Sequence, residues 1–255
     1  MRADLAKIVI PARFASTRLP GKPLRLIAGM TMIERVYRQA LAAGVGEVLI
    51  ATDDERIASA ARGFGARCVL TAGEHPSGTD RLAEVATREA WDDDVIVVNV
   101  QGDEPLLPPA NVAQVAGLLA ADRGAHLATL MTPLQHVEDF LDPNVVKVVS
   151  AAGRALYFSR SPLPWHRRFA SAGPDSLDEW TGAYRHLGLY AYRVGTLREL
   201  ARLAPTPLER AERLEQLRAL EQGWAIAIAV ALEVPGPGVD TEADLQRVVE
   251  LLGAH

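Results

Sequence analysis

The sequence predicts an α/β fold with a mostly parallel central sheet flanked by helices, and three observations indicate it. Short apolar runs alternate with segments of helical periodicity in the first half, which is the pattern of strands joined by crossover helices. The chain has 255 residues and a hydrophobic content of 49%, which is enough to bury a sizeable core. The second half contains a hairpin pattern, so we expect a small hairpin-containing lobe there.

The first half is expected to form βαβ units. Apolar residues recur at helical spacing over 32–41, and Gly44 is placed to end that helix. Another helix should run to Ala90, capped by Thr79 or Asp80. The carboxyl ends of the strands should then meet at one edge, where open sheets bind ligands. The predicted strands lie at 8–11, 47–51, 67–70 and 95–100.

The second half changes character. Residues 145–150 and 155–158 predict the two strands of the hairpin. The segment 160–181 is rich in Pro, Gly and Ser and is too long for a simple connection, so we expect a functional loop. No repeat or linker interrupts the chain, which predicts a single domain over 1–255. The remaining predicted elements are a strand at 183–193, a helix at 207–221, a strand at 225–233 and a helix at 242–252.

Composition excludes several classes of protein. The 27 Lys and Arg residues are outnumbered by 32 Asp and Glu, so the basic surface of a nucleic-acid-binding protein is missing. No run approaches the roughly 20 apolar residues that cross a membrane. The one cysteine, Cys68, leaves no internal disulfide and is typical of a reducing compartment. We therefore expect a cytoplasmic protein with neither a nucleic-acid nor a membrane partner.

A basic loop follows the first predicted strand. Its backbone N–H groups, together with Arg13, Arg18 and Lys22, could surround a triphosphate. The loop matches neither of the common Gly-rich phosphate motifs. A solvated basic turn is therefore the alternative.

Two aspartates are candidate metal ligands. Asp103 follows the apolar run 95–100, and Asp240 stands just before the last predicted helix. Carboxylates at strand ends suit Mg²⁺, which prefers hard oxygen ligands. Alternatively, Asp103 and Glu104 start a turn or cap the next helix, and Asp240 is an N-cap. Spacing does not show whether the sheet brings the two aspartates together.

Polar residues of the second half suggest a surface for hydroxyl groups. Glu212, Glu215 and Gln216 are three and four residues apart, so they share one face of the predicted helix. An exposed charged face is the alternative. His186 and Tyr190 lie on one side of a predicted strand, where a structural histidine is the alternative.

Seven segments, in order, carry a resemblance to a known family: IPARFASTRLPGKPL (10–24), HPSGTDR (75–81), NVQGDEP (99–105), NVVK (144–147), RHLGLY (185–190), LEQLR (214–218) and GVDT (238–241). With these, the chain resembles the 3-deoxy-manno-octulosonate cytidylyltransferases over nearly its whole length. The resemblance implies a glycosyltransferase-A-like nucleotidyltransferase fold, a homodimer and a Mg²⁺ cofactor. It also implies that CTP and 3-deoxy-D-manno-octulosonate give a CMP-sugar and pyrophosphate for lipopolysaccharide biosynthesis.

The resemblance also implies roles for individual residues. Residues 1–134 would bind the nucleotide, and residues 135–255 would bind the sugar acid and form the dimer. Nucleotide contacts would come from Arg13, Ser16, Lys22, Ser77 and Arg81. Asp103 and Asp240 would hold Mg²⁺ and, with Arg13 and Lys22, form the catalytic set. Sugar-acid contacts would come from Gln101, Arg160, His186, Tyr190, Glu215 and Gln216.

Two other functions remain as alternatives. One is a cytidylyltransferase for another sugar acid, such as a sialic acid. The other is a noncatalytic nucleotide-binding protein of the same fold. The presence of both Asp103 and Asp240 beside Lys22 disfavours the second, because simple binding does not require a metal pair.

Overall fold

The structure is a computed structural model that describes residues 6–73, 75, 77–167 and 182–253. The portion of the predicted loop over 168–181 lies outside these residues. The strands are β1 (Lys7–Ala12), β2 (Leu26–Ile27), β3 (Met30–Thr31), β4 (Val48–Thr52), β5 (Arg67–Leu70), β6 (Ile96–Asn99), β7 (Leu127–Pro133), β8 (Lys147–Ala151), β9 (Arg154–Ser159), β10 (Tyr184–Arg193) and β11 (Ile226–Val230). The helices are α1 (Met32–Ala42), α2 (Glu55–Gly63), α3 (Gly78–Arg88), α4 (Pro109–Ala121), α5 (Val137–Leu141), α6 (Val194–Arg202), α7 (Pro207–Glu212), α8 (Gln216–Glu221) and α9 (Glu242–Gly253), with a 3-10 helix at Lys22–Leu24.

Within the described residues, one nine-stranded sheet forms the centre of the molecule, in the order β5-β4-β1-β6-β10-β7-β11-β9-β8. The first four strands are parallel, as predicted. β10 then runs antiparallel to both β6 and β7, while β11 is parallel to β7. The α/β class is confirmed, and the sheet becomes mixed in its second half. The predicted hairpin, β8 and β9, forms the far edge of this same sheet.

The predicted strands of the first half lie within one residue of β1, β4, β5 and β6. The predicted cap of α3 is wrong, because Ser77 rather than Thr79 or Asp80 is the N-cap. The Ser77 hydroxyl accepts from the Asp80 N–H at 3.2 Å, and the Asp80 carboxylate accepts from the Ser77 N–H at 3.1 Å. This reciprocal pair is a capping box, and it fixes where α3 begins.

The predicted helix over 207–221 is also wrong, because it is broken at Arg213. That residue has a left-handed backbone, with φ 54° and ψ 48°, which ends α7 before α8 begins. Glu212 therefore turns toward the end of β9, where its carboxylate accepts from the Ser159 hydroxyl at 2.5 Å. Glu215 turns instead toward α3. The two glutamates do not share a helical face.

Helices cover both faces of the sheet. α1, α2 and α4 pack on one face through residues such as Val36, Ile57 and Val115, all fully buried. α3, α6 and α8 pack on the other through Val85, Leu197 and others. None of the helices in the described portion of the chain is long and apolar enough to cross a bilayer.

A separate small core attaches α9 to the basic loop that follows β1. Leu19 from that loop and Val239 from the segment before α9 are each 1% exposed in one apolar cluster. Leu245 and Val248 of α9 complete it. Burial of each such aliphatic side chain stabilises the fold by roughly 1.5–3 kcal/mol. Because Asp240 follows Val239 directly, this cluster carries Asp240 to the basic loop.

Candidate active site

Lys22 bridges the two aspartates. Its ammonium Nζ donates to Oδ2 of Asp103 and to Oδ1 of Asp240, each at 2.8 Å. The three side chains come from the loop after β1, the loop after β6 and the segment before α9. The Lys22 side chain is only 13% exposed. The loop is therefore not a fully solvated turn, and the sheet does bring the two aspartates together.

Backbone contacts fix Asp103. A Cβ atom on Gly102 would lie 2.8 Å from the carbonyl oxygen of Pro11, so only glycine allows this close approach to the end of β1. The carbonyl oxygen of Asp103 accepts from the Val239 N–H at 2.9 Å. The loop after β6 is thus held between β1 and the segment that carries Asp240.

Asp240 does not cap α9. The Thr241 hydroxyl accepts from the Asp244 N–H at 3.2 Å, and the Asp244 carboxylate accepts from the Thr241 N–H at 2.9 Å. This arrangement supplies the cap and leaves the Asp240 carboxylate for other contacts. Its second oxygen lies 3.1 Å from the Arg18 guanidinium. The N-cap alternative for Asp240 is therefore wrong.

The Asp103 and Asp240 carboxylates fit a magnesium ion. One small cation, the Lys22 ammonium, already lies in contact with both. Mg²⁺ is usually bound by one or two carboxylates, with water and substrate phosphates as its other ligands. No group of three or more His, Cys, Asp or Glu side chains among the described residues could form an all-protein metal site. The two carboxylates therefore suit a hard cation whose other ligands are water and the phosphate groups of a bound ligand.

The remaining residues of the basic loop surround this cluster less closely. Arg13 is exposed and makes no hydrogen bond or ion pair with the described residues. The Ser16 hydroxyl accepts from the Leu19 N–H at 3.3 Å and so shapes the loop. Arg18 lies at the surface of the cluster, and Arg13 is a second exposed cation of the same loop, so an anionic ligand can reach both.

Glu215 is the centre of a second polar cluster, at the N-terminus of α3. The Thr79 hydroxyl donates to its Oε2 at 2.8 Å, and the Ser77 hydroxyl lies 3.0 Å from its Oε1. Burial raises the pKa of Glu215 above its ordinary value, and the two hydroxyls oppose that shift. Gln216, the first residue of α8, is 9% exposed beside it. A half-buried carboxylate and a buried amide suit hydroxyl groups of a ligand.

A bulge in β10 positions His186 and Tyr190. Gly188 and Leu189 have no partner on β7, and the Thr129 hydroxyl lies 2.9 Å from the Leu189 carbonyl oxygen. The rings of His186 and Tyr190 lie on one side of the strand, with centroids 5.3 Å apart, as predicted. Burial and the nearby Arg185 charge lower the pKa of His186 to about 3. His186 is therefore neutral at pH 7, with Nε2 3.0 Å from the Thr129 hydroxyl.

A cavity lies between the loop after β6 and β10. Gln101 and His186 line it, together with Arg185 and Glu104. Burial, and then the charge of Asp103, raise the pKa of Glu104 to about 7. The cavity thus begins one residue from Asp103 and reaches the predicted sugar-acid residue His186.

Two predicted site residues contact the protein itself. The Arg160 guanidinium donates to the backbone carbonyl oxygens of Glu212, at 2.7 Å, and Pro143, at 2.9 Å. Arg81 is 4% exposed and bonds to the Thr71 hydroxyl at the end of β5. Both arginines therefore anchor the walls of the crevice in this structure.

Sequence reasoning missed several residues of the site. The sequence suggested Arg18 for phosphate without placing it among the site residues, and it suggested Thr79 only as a cap. Asn99 lies within the motif NVQGDEP and received no role, and Glu104 of the same motif was suggested only as part of a turn or a helix cap. The Ser77 and Asp80 spacing, Ser-x-x-Asp, was a capping signal in the sequence. Nothing in the sequence indicated the contact between Arg18 and Asp240, because that contact depends on how α9 packs.

A family model described as cytidylyltransferase matches residues 7–228, which places the fold and the site in that class. The protein named 3-deoxy-manno-octulosonate cytidylyltransferase of Thioalkalivibrio sulfidiphilus is 57% identical over 253 residues, covering 97% of this chain and 99% of the relative. The protein of that name from Pseudomonas fluorescens SBW25 is 54% identical, covering 97% and 98%. The chain belongs to the family of the 3-deoxy-manno-octulosonate cytidylyltransferases.

A solved structure agrees with this assignment. It is described as CMP:2-keto-3-deoxy-manno-octonic acid synthetase complexed with CTP. It is 42% identical to this chain, covers 98% of both chains and has a TM-score of 0.88. The predicted nucleotidyltransferase fold is confirmed.

Proposed function

We propose that this enzyme transfers CMP from CTP to 3-deoxy-D-manno-octulosonate and releases pyrophosphate, as a step of lipopolysaccharide biosynthesis. The observation that carries the proposal is the contact of Lys22 with both Asp103 and Asp240. Residues from three distant segments meet there, and the exposed Arg18 contacts Asp240. A site that only bound a nucleotide would not need two carboxylates on one cation.

The reaction joins two anions, so charge and position dominate its barrier. The anomeric hydroxyl oxygen forms a bond to the α-phosphorus while the bond from that phosphorus to the pyrophosphate oxygen breaks. The attacking and leaving oxygens lie in line, and the hydroxyl proton passes to solvent. Lys22 and Arg13 stabilise the departing pyrophosphate, and Arg18 is placed to assist them. No protein general base is required by this scheme.

Asp103 and Asp240 are the residues that would hold Mg²⁺. A bound Mg²⁺ neutralises phosphate charge and lowers the pKa of a hydroxyl group next to it. With the charge of the two carboxylates balanced in this way, Lys22 would be able to turn from them to the phosphates of a bound nucleotide. The sequence predicts Ser16, Ser77 and Arg81 along the nucleotide, and we retain that assignment as a proposal.

The polar cluster around Glu215 supports the sugar-acid assignment. Glu215, Gln216 and Tyr190 face the sheet end next to α3, and His186 and Gln101 line the adjoining cavity. Carboxylate, amide, phenol and imidazole groups of this kind form hydrogen bonds with hydroxyl groups. Arg160 remains a proposed partner for the sugar carboxylate through a change in its present backbone contacts.

We also propose that the enzyme works in the cytoplasm as a homodimer, with residues 135–255 supplying the interface. Exposed apolar residues in that segment support an interface: Leu156 is 59% exposed and Leu232 is 69% exposed. Sedimentation equilibrium at assay concentrations tests the dimer. A monomer with full activity would contradict it.

Pyrophosphate release from CTP, UTP or ATP against a panel of sugar acids tests the function. We expect release only with CTP and 3-deoxy-D-manno-octulosonate at Mg²⁺ saturation. Preference for a sialic acid would replace the substrate but keep the class of enzyme. CTP binding without turnover on any sugar acid would favour the noncatalytic alternative.

A further inference from the structure

Asn99 is a buried amide without a partner. It ends β6 at 3% exposure, and its Oδ1 has no hydrogen-bond partner among the described residues. Its Nδ2 makes no hydrogen bond to the described residues either. Well over nine-tenths of buried polar groups in folded proteins are paired, and an unpaired one is costly. An unpaired amide at the carboxyl end of a strand therefore indicates a missing ligand.

The position of Asn99 defines which ligand can reach it. It lies directly opposite Tyr190 in the antiparallel pairing of β6 and β10, so the two side chains share one face of the sheet. Its Nδ2 lies 4.0 Å from the point where a Cβ atom on Gly78 would be, at the first residue of α3. Asn99 thus lies beneath the turn whose Ser77 and Thr79 hold Glu215.

Tyr190 lies across from this amide. Its hydroxyl is buried at a residue exposure of 7%, with the Thr129 side chain as a polar neighbour but no hydrogen bond of full geometry among the described residues. Burial raises its pKa well above the ordinary value, so it stays a neutral phenol. The unpaired Oδ1 of Asn99 and this phenol, on directly opposite residues at the ligand-binding edge of the sheet, point to one shared ligand group.

The donors and acceptors of Asn99 and Tyr190 fit a hydroxyl group of the ligand. The amide offers two donors and one acceptor, and the phenol offers one donor and an acceptor. Glu215 nearby disfavours an anionic ligand group, which excludes the phosphates and the sugar carboxylate at this point. A neutral hydroxyl can donate to Oδ1 and accept from Nδ2 or from the phenol.

We propose that Asn99 is a substrate-binding residue that recognises a hydroxyl group of the bound polyol, within the proposed cytidylyl transfer on which this inference rests. Two sources carry that chemistry: the sugar acid and the ribose of CTP. Asn99 acts together with Tyr190, on the same side as Glu215. The unpaired amide destabilises the free protein, but it leaves the hydrogen-bonding groups of Asn99 available to this hydroxyl.

Asn99→Leu, which removes both polar atoms at similar volume, tests the proposal. Since the amide has no protein partner, the melting temperature should equal or exceed that of the wild type. We expect a loss of about 10-fold or more in one substrate constant. A loss in kcat/KM for octulosonate identifies a sugar-acid hydroxyl, and a loss in CTP affinity identifies the ribose.

Asn111→Leu is the matched control. Asn111 is fully buried, but its Nδ2 donates to the Glu233 carbonyl oxygen at 2.7 Å and its Oδ1 accepts from the Glu233 N–H at 3.1 Å. This variant should melt at a lower temperature. If leucine does not fit at Asn99, Asn99→Ala is compared by the two substrate constants alone.

Two results, in whichever Asn99 variant folds, would overturn the inference: both constants close to wild type, or equal losses in both. A wild-type enzyme that releases no pyrophosphate from CTP and octulosonate would instead contradict the proposed function. Wild-type turnover with an unaffected Asn99 variant would contradict the inference alone.

Discussion

At the scale of single residues, the site depends on a lysine that holds two carboxylates. Nζ of Lys22 lies 2.8 Å from both Asp103 and Asp240, and its side chain is largely buried. The same two carboxylates fit a magnesium ion. A cation between the two carboxylates reduces their mutual repulsion, and Lys22 supplies that charge in this structure.

Replacing either aspartate should remove most of the activity. Asp103→Asn or Asp240→Asn deletes a negative charge where a metal would bind, so kcat should fall by at least about 100-fold. Turnover is measured at saturating Mg²⁺. Asp122→Asn, which breaks an ion pair with Arg154 in a turn after α4, is the control. Near-normal turnover of either site variant would remove that residue from the proposed metal site.

Lys22→Ala should weaken CTP binding and slow turnover. A point charge that can reach the phosphates is lost, and the two carboxylates are left without their shared cation. CTP affinity is measured by calorimetry. Lys7→Ala, at the opposite end of β1 and paired with Glu47 at 3.3 Å, should leave that affinity unchanged. If the two variants bound CTP equally well, the basic loop would have no role in phosphate binding.

At the scale of secondary-structure elements, β10 buries a histidine next to its bulge, and this histidine makes the free energy of unfolding depend on pH. His186 has a pKa of about 3, against an ordinary value of 6.5, so the unfolded chain takes up a proton in that interval and the folded chain does not. The free energy of unfolding should therefore fall as pH falls from about 6.5 toward about 3.

Chemical denaturation of the wild type and of His186→Gln at several pH values measures this effect. The wild type should lose more stability on acidification than the variant, because other titrating groups are common to both. His136→Gln, at an exposed position, is the control. Parallel stability curves for the wild type and His186→Gln would show that His186 is protonated as easily as in a peptide.

The break between α7 and α8 separates the residues that we propose contact the substrate from those that pack in the core. Leu217 of α8 is fully buried, while Glu215 before it faces Ser77 and Thr79. Glu215→Ala, Gln216→Ala and Tyr190→Phe should therefore lower kcat/KM for octulosonate far more than CTP affinity. Each substitution leaves a buried polar group without its hydrogen-bond partner in the complex with the sugar acid, and each such group costs about 1–3 kcal/mol of binding free energy.

Steady-state kinetics and CTP calorimetry on each variant make this comparison. Glu221→Ala, at the exposed end of α8, should leave both constants near wild type. Equal losses in octulosonate use and CTP affinity would show that these residues support the fold of the crevice as a whole.

At the scale of the whole molecule, local patterns predicted the elements better than their arrangement. The buried runs of β1, β4 and β6 were recognisable because buried parallel strands are continuously apolar, and the short run of β5 at the sheet edge was recognised with them. β7, at the centre of the second half, received no prediction, since a short apolar run is ambiguous between strand and helix. Nothing local indicated the left-handed backbone of Arg213, because arginine is a good helix former.

For the site too, the sequence predicted individual residues better than the contacts between them. The sequence identified Asp103, Asp240 and Lys22 as candidates, but their contact depends on burial of Leu19 with Val239, which lie far apart in the chain. Asn99 was hidden because a polar residue at the end of an apolar strand has no distinctive spacing. Its unpaired amide becomes evident only when every neighbour is known.

The central claim is transfer of CMP to a sugar hydroxyl, and phosphorus NMR of the complete reaction tests it most directly. CTP, 3-deoxy-D-manno-octulosonate, Mg²⁺ and enzyme should give a new phosphodiester signal and pyrophosphate in equal amounts. Omission of the sugar acid should leave CTP intact. Release of free CMP, or of CDP with inorganic phosphate, at the same rate with and without the sugar acid would show hydrolysis and contradict the account.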